Sequence, residues 1–187
     1  MTQDSVIILE GLEKFADAAG NLPINVQTAI TRSINKTLDR TRTRAARAVL
    51  EQIAFPASYL GPAKKRLWVR SRARNDSPFG VIEGRDQATS LARFAKQKTP
   101  TTGSQRPKGG KIDVRVKAGG GFKSIPRAFL ISLKNNNVGL AVRTNGERPA
   151  GAFKPKEIGK NLWLLYGPSV DQALVASGLK AKPGPWT

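Results

Sequence analysis

The stretch PINVQTAITRSINKTLDRTRTRAARAVLEQI, residues 23–53, contains the longest regular pattern of the chain and decides its fold class. Pro23 stands where helices favour proline, in the first turn. Apolar residues then recur three or four positions apart, the spacing of one face of a helix: Val26, Ala29, Ile30, Ile34, Leu38, Ala45, Val49 and Ile53. The stretch predicts one long helix, which packing must support because its threonines lower helix propensity.

Two shorter elements precede this helix. Residues 6–9, Val-Ile-Ile-Leu, form a β-branched run that Gly11 ends, which predicts a strand. A helical spacing of apolar residues follows and ends at Gly20. This second pattern predicts a short helix before the long one.

Strand patterns dominate the chain after the long helix. Residues 64–74 alternate, turn at 75–78 and return at 79–83, which predicts a hairpin. Further strands are predicted at 111–117, 138–143 and 162–166. Residues 125–133 have apolar positions at helical spacing, although a buried strand also fits them. A short helix is predicted to begin at Val170.

These patterns predict an α+β fold with a mostly antiparallel sheet and long loops. We expect one domain over residues 1–178, with a flexible basic loop at 96–110, and an extended tail over 179–187. A loop with Pro149, Gly151 and Pro155 is expected before the strand at 162–166. No apolar run reaches the length of a membrane span, so we expect no membrane association. The acidic start lacks the pattern of a signal peptide, so we expect the chain to stay in the cytoplasm that makes it.

The charge of the chain is extreme. It has 32 Lys and Arg against 13 Asp and Glu, a formal net charge of +19, and neither His nor Cys. Such an excess repels itself, which indicates an anionic partner. Without imidazole or thiol, the usual catalytic and transition-metal groups are missing, so we expect no enzyme, metal or cofactor. The close carboxylates of Asp76, Glu83 and Asp86 are better explained as counter-charges of neighbouring arginines.

Two sets of residues are candidates for contact with an anionic partner. The first is a stripe at intervals of four on the long helix, which places its members on one face: Arg32, Lys36, Arg40 and Arg44. The second set shares one face of the strand at 64–74: Lys64, Arg66, Trp68, Arg70, Arg72 and Arg74. Solvated side chains, an acidic protein neighbour and DNA all fit these sets. The apolar strand at 162–166 is a candidate for subunit packing, through Leu162, Trp163, Leu165 and Tyr166.

Four groups of segments occur in the order seen in a known family. They are ARAVLEQI with FPASYL (46–60), IEGR with SLARF (82–94), KAGG with IPRAF (117–129) and LLYGPSV (164–170). In this order the chain resembles the minor tail protein Z family of phages and prophages, which are tail-completion or neck proteins.

The resemblance implies a non-enzymatic virion protein of a long-tailed phage. Such a protein forms a homo-oligomeric ring, commonly six-fold, at the head–tail junction, where it completes the tail and supports head–tail joining. Its expected partners are neighbouring neck proteins, tail-terminator or tail-tube proteins, and, weakly, the genomic DNA in the channel. The alternative function is a stand-alone, non-sequence-specific nucleic-acid-binding protein that uses Trp68 and Tyr166 as stacking platforms.

Overall fold

The computed structural model describes residues 12–100, 110–134, 136–149 and 153–176, and these form an α+β fold. The chain divides into two compact units. The first unit comprises Met1–Val49, Ala57–Asp86 and Val170–Thr187, and the second comprises Leu50–Pro56 and Gln87–Ser169. Each unit is made of segments that are separated in the sequence. No linker therefore marks the boundary between the two units inside the domain predicted for residues 1–178. The predicted strand at 6–9, most of the loop at 96–110 and the tail at 179–187 lie outside the described residues.

The first unit contains the α-helices of the described residues, apart from the last turn of the long helix. They are α1 (Leu12–Gly20), α2 (Ile24–Gln52, whose last turn belongs to the second unit) and α3 (Val170–Ala176). The strands of this unit are β1 (Leu67–Ser71) and β2 (Val81–Gly84), which form an antiparallel hairpin. The predictions of a short helix, a long helix and a C-terminal helix are therefore confirmed.

A polar interface joins α2 to the residues that follow β1. The Asn35 side-chain amide donates to the carbonyl oxygen of Ala73 at 3.0 Å, and its oxygen accepts from the Ala73 backbone N–H at 3.0 Å. One helical turn earlier, the Thr31 hydroxyl donates to the Asn75 side-chain oxygen at 2.9 Å. Only Ala45, Ala46 and Val49 of α2 are buried. The middle of α2 is thus held by directional hydrogen bonds and by half-buried side chains such as Leu38, which packs against Gly80, whereas full apolar burial occurs only towards its end.

We expect the substitution Asn35→Ala to cost about 1–3 kcal/mol of unfolding free energy, because it leaves both backbone groups of Ala73 without their partner. The matched control is Thr37→Ala, since the exposed Thr37 hydroxyl donates only within α2, to the Ser33 carbonyl oxygen. Both variants gain helix propensity. A urea titration in which the two variants were equally stable would show that the Asn35 contact contributes nothing.

The hairpin differs from its prediction at both ends. Lys64 ends a 3₁₀ helix, Pro62–Lys64, and the left-handed backbone of Lys65 (φ 43°) separates it from β1. A register irregularity between Val69 and Ser71 also interrupts the strict alternation. The prediction of one regular strand over 64–74 is therefore wrong, although its inward residues Leu67 and Ala73 are buried.

The second unit is built on a five-stranded antiparallel sheet. Strand β9 (Leu162–Gly167) pairs with β7 (Val138–Arg143), β8 (Phe153–Gly159) and the short β3 (Thr89–Ser90), and β6 (Ala128–Ser132) pairs with β7. A separate hairpin joins β4 (Lys111–Val114) to β5 (Lys123–Pro126). Strand β8 includes Pro155, in a region predicted as loop. The strands predicted near 111, 138 and 162 are confirmed.

The core of this unit is a row of leucines across three strands. Leu130 pairs with Leu140, and Leu140 pairs with Leu165. Their exposed fractions are 1%, 0% and 5%. The helical interpretation of 125–133 is wrong and the strand alternative holds. The left-handed backbone of Arg127 (φ 57°) breaks the segment into β5 and β6.

Candidate anion-binding surface

The cations of the α2 stripe (Arg32, Lys36, Arg40 and Arg44) are all exposed. At a rise of about 1.5 Å per residue, successive members lie about 6 Å apart along the helix axis, and the stripe is about 18 Å long. Within the described part of the chain, none of the four side chains makes a hydrogen bond or an ion pair. Their charges are therefore available to an external anion.

The stripe faces outward because neighbouring positions of α2 contact the hairpin. Asn35, Asp39 and Arg42 all bond to residues of the segment 60–73. A step of one residue turns a helix by about 100°, so residues just after these contacts face away from the hairpin. Polar contacts on one side of α2 thus leave the stripe on a solvent-facing side.

The cations of the β1 region have partners inside the first unit. Arg72 forms a two-point ion pair with the Asp39 carboxylate at 2.7 and 3.2 Å. Arg70 lies 3.2 Å from Glu83, and Arg74 lies 3.3 Å from Asp76. The Arg66 guanidinium stands 4.1 Å from the centre of the Tyr59 ring and donates to the Tyr59 carbonyl oxygen at 3.2 Å. These arginines are largely compensated, in contrast to the α2 stripe.

The remaining members of the predicted strand face are placed differently. Lys64 is exposed but lies on the 3₁₀ helix. Trp68 is half-buried and pairs in register with Glu83. The structure therefore brings the β1 residues into internal contacts rather than into one uncompensated face.

The Asp39–Arg72 pair makes stability depend on pH. The hydrogen bond from Arg72, followed by its charge, holds the pKa of Asp39 below the ordinary value of 3.8. Because the pKa is lower in the folded chain, the stabilisation is complete above the unfolded pKa. It is lost as the pH falls from about 4 through the folded pKa.

We expect Asp39→Asn to reduce the loss of unfolding free energy that occurs as the pH falls below about 4. The effect is small, because the side chains of Asp39 and Arg72 are both exposed. The measurement is the urea midpoint between about pH 5 and pH 2, compared with wild type. Arg70→Gln, which leaves the Asp39 pair intact, is the control. An identical acid-induced loss in wild type and Asp39→Asn would contradict this assignment.

Arg42 has a structural role that the sequence did not reveal. Its Nε donates to the Leu67 carbonyl oxygen at 3.1 Å, and its terminal nitrogen donates to the Leu60 carbonyl. In sequence it is one more cation beside the stripe. Only the position of the hairpin distinguishes it from its neighbours.

The candidates for subunit packing have mixed environments. Leu165 is buried within the core of the second unit, so its side chain is not available at the surface. Leu162, Trp163 and Tyr166 are half-buried. The Trp163 indole N–H is buried and has no acceptor among the described residues.

Other apolar side chains, between Phe15 on α1 and Val26 in the first turn of α2, are exposed. They lie outside the segment 162–166 that was predicted for subunit packing. Phe15 is 45% exposed, Leu22 39%, Ile24 67% and Val26 38%. These four side chains are available for contact with another protein. The helical spacing of Phe15 and Val26 indicated burial, and it gave no information about which molecule would bury them.

Metal and membrane signals are absent from the parts of the chain that the structure describes. These residues hold no group of three His, Cys, Asp or Glu side chains that could bind a metal ion. None of the described helices combines the length and the hydropathy needed to cross a bilayer. Asp76 and Glu83 are paired with arginines, as expected from the sequence, although the partner of Glu83 is Arg70.

The chain matches no protein-family model, no curated protein and no solved structure.

Proposed function

We propose that this chain is a structural virion protein of a long-tailed phage, which forms a ring at the head–tail junction. The ring completes the tail, supports head–tail joining and allows DNA to pass. In this role the α2 stripe faces an anion, either an acidic neighbouring ring or DNA. Contacts to DNA in a channel must be weak, because tight binding would hinder its passage.

The observation that carries the proposal is that the segments resembling tail protein Z contact one another in the second unit. Segment 46–60 meets segment 117–129, since Ile53 bridges to Lys117 and the Ala118 N–H donates to the Gln52 carbonyl at 2.9 Å. Segment 46–60 also meets segment 82–94, because the rings of Phe55 and Phe94 lie 5.3 Å apart. Residues far apart in sequence thus form one connected framework.

The most specific of these segments, LLYGPSV, is explained by the same framework. Tyr166 pairs in register with Ser90, which belongs to the segment 82–94. A side-chain carbon added at Gly167 would lie 3.0 Å from the Phe94 ring, so this position favours glycine. A resemblance that falls on packing residues supports a shared fold more than a shared surface.

The exposed apolar residues around the start of α2 support assembly. Four apolar side chains between residues 15 and 26 remain accessible in a chain whose net charge opposes non-specific aggregation. Contact with a second copy would cover them. A neighbouring anionic ring would then neutralise the α2 stripe.

The experiment is size-exclusion chromatography with light scattering, run at two salt concentrations with and without duplex DNA. A ring subunit gives a mass several times the 20.2 kDa of one chain, either alone or when added to isolated tails. The variant Ile24→Asp is expected to abolish assembly, and Ile158→Asp, at another exposed isoleucine (40%), to leave it intact. Immunolabelling of purified particles locates the chain at the neck.

A chain that stays monomeric under all these conditions and is absent from particles would exclude the ring. If that monomer also bound DNA with steep salt dependence, the stand-alone nucleic-acid-binding function would replace it. The observation that favours this alternative is the uncompensated α2 stripe. Trp68 and Tyr166, the stacking platforms that the alternative function requires, are only half-exposed.

A further inference from the structure

The second unit exposes an aromatic ring among cations at the β4–β5 hairpin. Phe122, just before β5, is 49% exposed. The Arg115 guanidinium carbon lies 5.3 Å from the centre of its ring, and the Lys96 ammonium lies 5.9 Å from it. We call these three residues the Phe122 platform.

The backbone holds the platform in place. The Arg115 N–H donates to the Phe94 carbonyl at 2.9 Å, and the Lys96 N–H donates to the Asp113 carbonyl at 2.8 Å. On the other side of β4, the pair Val114–Lys123 fixes the strand next to Phe122. Phe94, which accepts the bond from Arg115, and Val114, which precedes Arg115, are both buried. Backbone hydrogen bonds thus anchor Arg115 and Lys96 beside the end of β4, which limits the conformational entropy lost on binding.

The surroundings of the platform are strongly positive. Lys96, Lys111, Arg115 and Lys117 are all exposed on or beside β4. The nearest carboxylate in this strand, Asp113, accepts a hydrogen bond from the Ser124 hydroxyl. This surface therefore attracts anions, and the exposed ring makes it suited to an anion that also carries a flat apolar group.

We propose that the Phe122 platform binds single-stranded nucleic acid, with one base stacked on Phe122 and the flanking phosphates on Arg115 and Lys96. Exposed aromatic side chains with cations beside them are used for stacking unpaired bases. Here the two cations stand over the Phe122 ring, so a stacked base takes the place of a cation, which then turns to a flanking phosphate. The inference rests on the second unit alone and is independent of the proposed ring.

Other anionic partners fit the platform less well. The bases of a duplex are stacked on each other and do not offer a free face to Phe122. An acidic peptide would pair with the cations but has no need of the ring. A single strand uses both features, and this difference defines the test.

The test measures fluorescence anisotropy of a labelled thymidine oligomer of about 12 nucleotides, within the roughly 4–16 that a small β-domain covers. The full chain is used. We expect Phe122→Ala to weaken binding about tenfold, the usual order for the loss of one stacked base, and Phe122→Trp to retain it. The matched control is Phe79→Ala, at another exposed phenylalanine (42%), which should bind as wild type does.

Two further measurements separate stacking from charge. An abasic strand of equal length should bind about tenfold more weakly than the thymidine strand and be insensitive to Phe122→Ala. Arg115→Gln and Lys96→Gln should each reduce the slope of log affinity against log salt concentration by about 0.7. Circular dichroism confirms that each variant is folded.

The proposal is overturned if Phe122→Ala binds the thymidine strand like wild type, or if Phe122→Ala weakens the abasic strand equally. It is also overturned if a duplex or polyglutamate binds as tightly with the same dependence on Phe122. None of these results bears on the ring proposal, because that proposal depends on the mass of the oligomer and on its location in the particle.

Discussion

Replacing the four cations of the α2 stripe by glutamine is expected to weaken binding to duplex DNA about 100-fold at roughly 0.1 M salt. Each phosphate contact contributes about 0.9 to the slope of log affinity against log salt concentration. Between 1 M and 0.1 M salt this slope corresponds to about an eightfold gain in affinity per contact. Two or three lost contacts therefore account for the expected loss. A titration at several salt concentrations measures both the affinity and the slope.

The matched control replaces Arg70, Arg72 and Arg74 by glutamine, and it is compared with a variant that replaces Arg32, Lys36 and Arg40, so that both lose three charges. The three control arginines are exposed and carry the same charge, but each already faces a carboxylate at 2.7–3.3 Å. We expect the control variant to lose much less affinity and to change the slope little. Equal losses in the two variants would show that net charge, rather than the uncompensated stripe, determines binding.

The substitution Leu140→Ala is expected to cost about 3–5 kcal/mol of unfolding free energy. Leu140 is 0% exposed at the centre of β7, between Leu130 and Leu165 on the neighbouring strands. Truncation removes buried apolar area and leaves a cavity that two paired strands cannot close. Guanidinium unfolding followed by circular dichroism measures the loss.

Ile131→Ala is the control for this core prediction. Ile131 lies on β6, half-buried, on the sheet face opposite to Leu130. It should therefore cost less than about half as much as Leu140→Ala, because its surroundings are partly solvated. If the two substitutions cost the same, the leucine row would not be the centre of the core.

The sequence predicted elements with long or unambiguous patterns. The repeat over residues 23–53 continues for many turns, and Val138–Arg143 is bounded by turn residues, so both were predicted close to their observed limits. Residues 125–133 were ambiguous, because a few apolar residues fit either period. The left-handed conformation of Arg127 that settles the question leaves no mark in composition. Strand β8 was missed because its Lys, Glu and Pro residues lack an apolar alternation.

The candidate site was predictable as a set of cations but not as a set of free charges. Arg44 and Arg72 are equivalent in sequence, each one of a series of basic residues. They differ because Asp39, which lies 33 positions from Arg72, meets it across the interface of α2 and the hairpin. Compensation of charge depends on such long-range contacts, which local pattern does not encode.

The hydrogen-bonded seam at Asn35, Thr31 and Asn75 has a consequence for motion. In such a joint water can replace each hydrogen bond that is lost on opening, and the newly exposed apolar surface comes from half-buried side chains such as Leu38, which packs against Gly80. Opening there costs less free energy than opening a leucine-filled joint of the same size. We therefore expect the backbone N–H of Ala73, which donates to the Asn35 side chain, to exchange with solvent at a lower opening free energy than the paired backbone groups of β7 and β9.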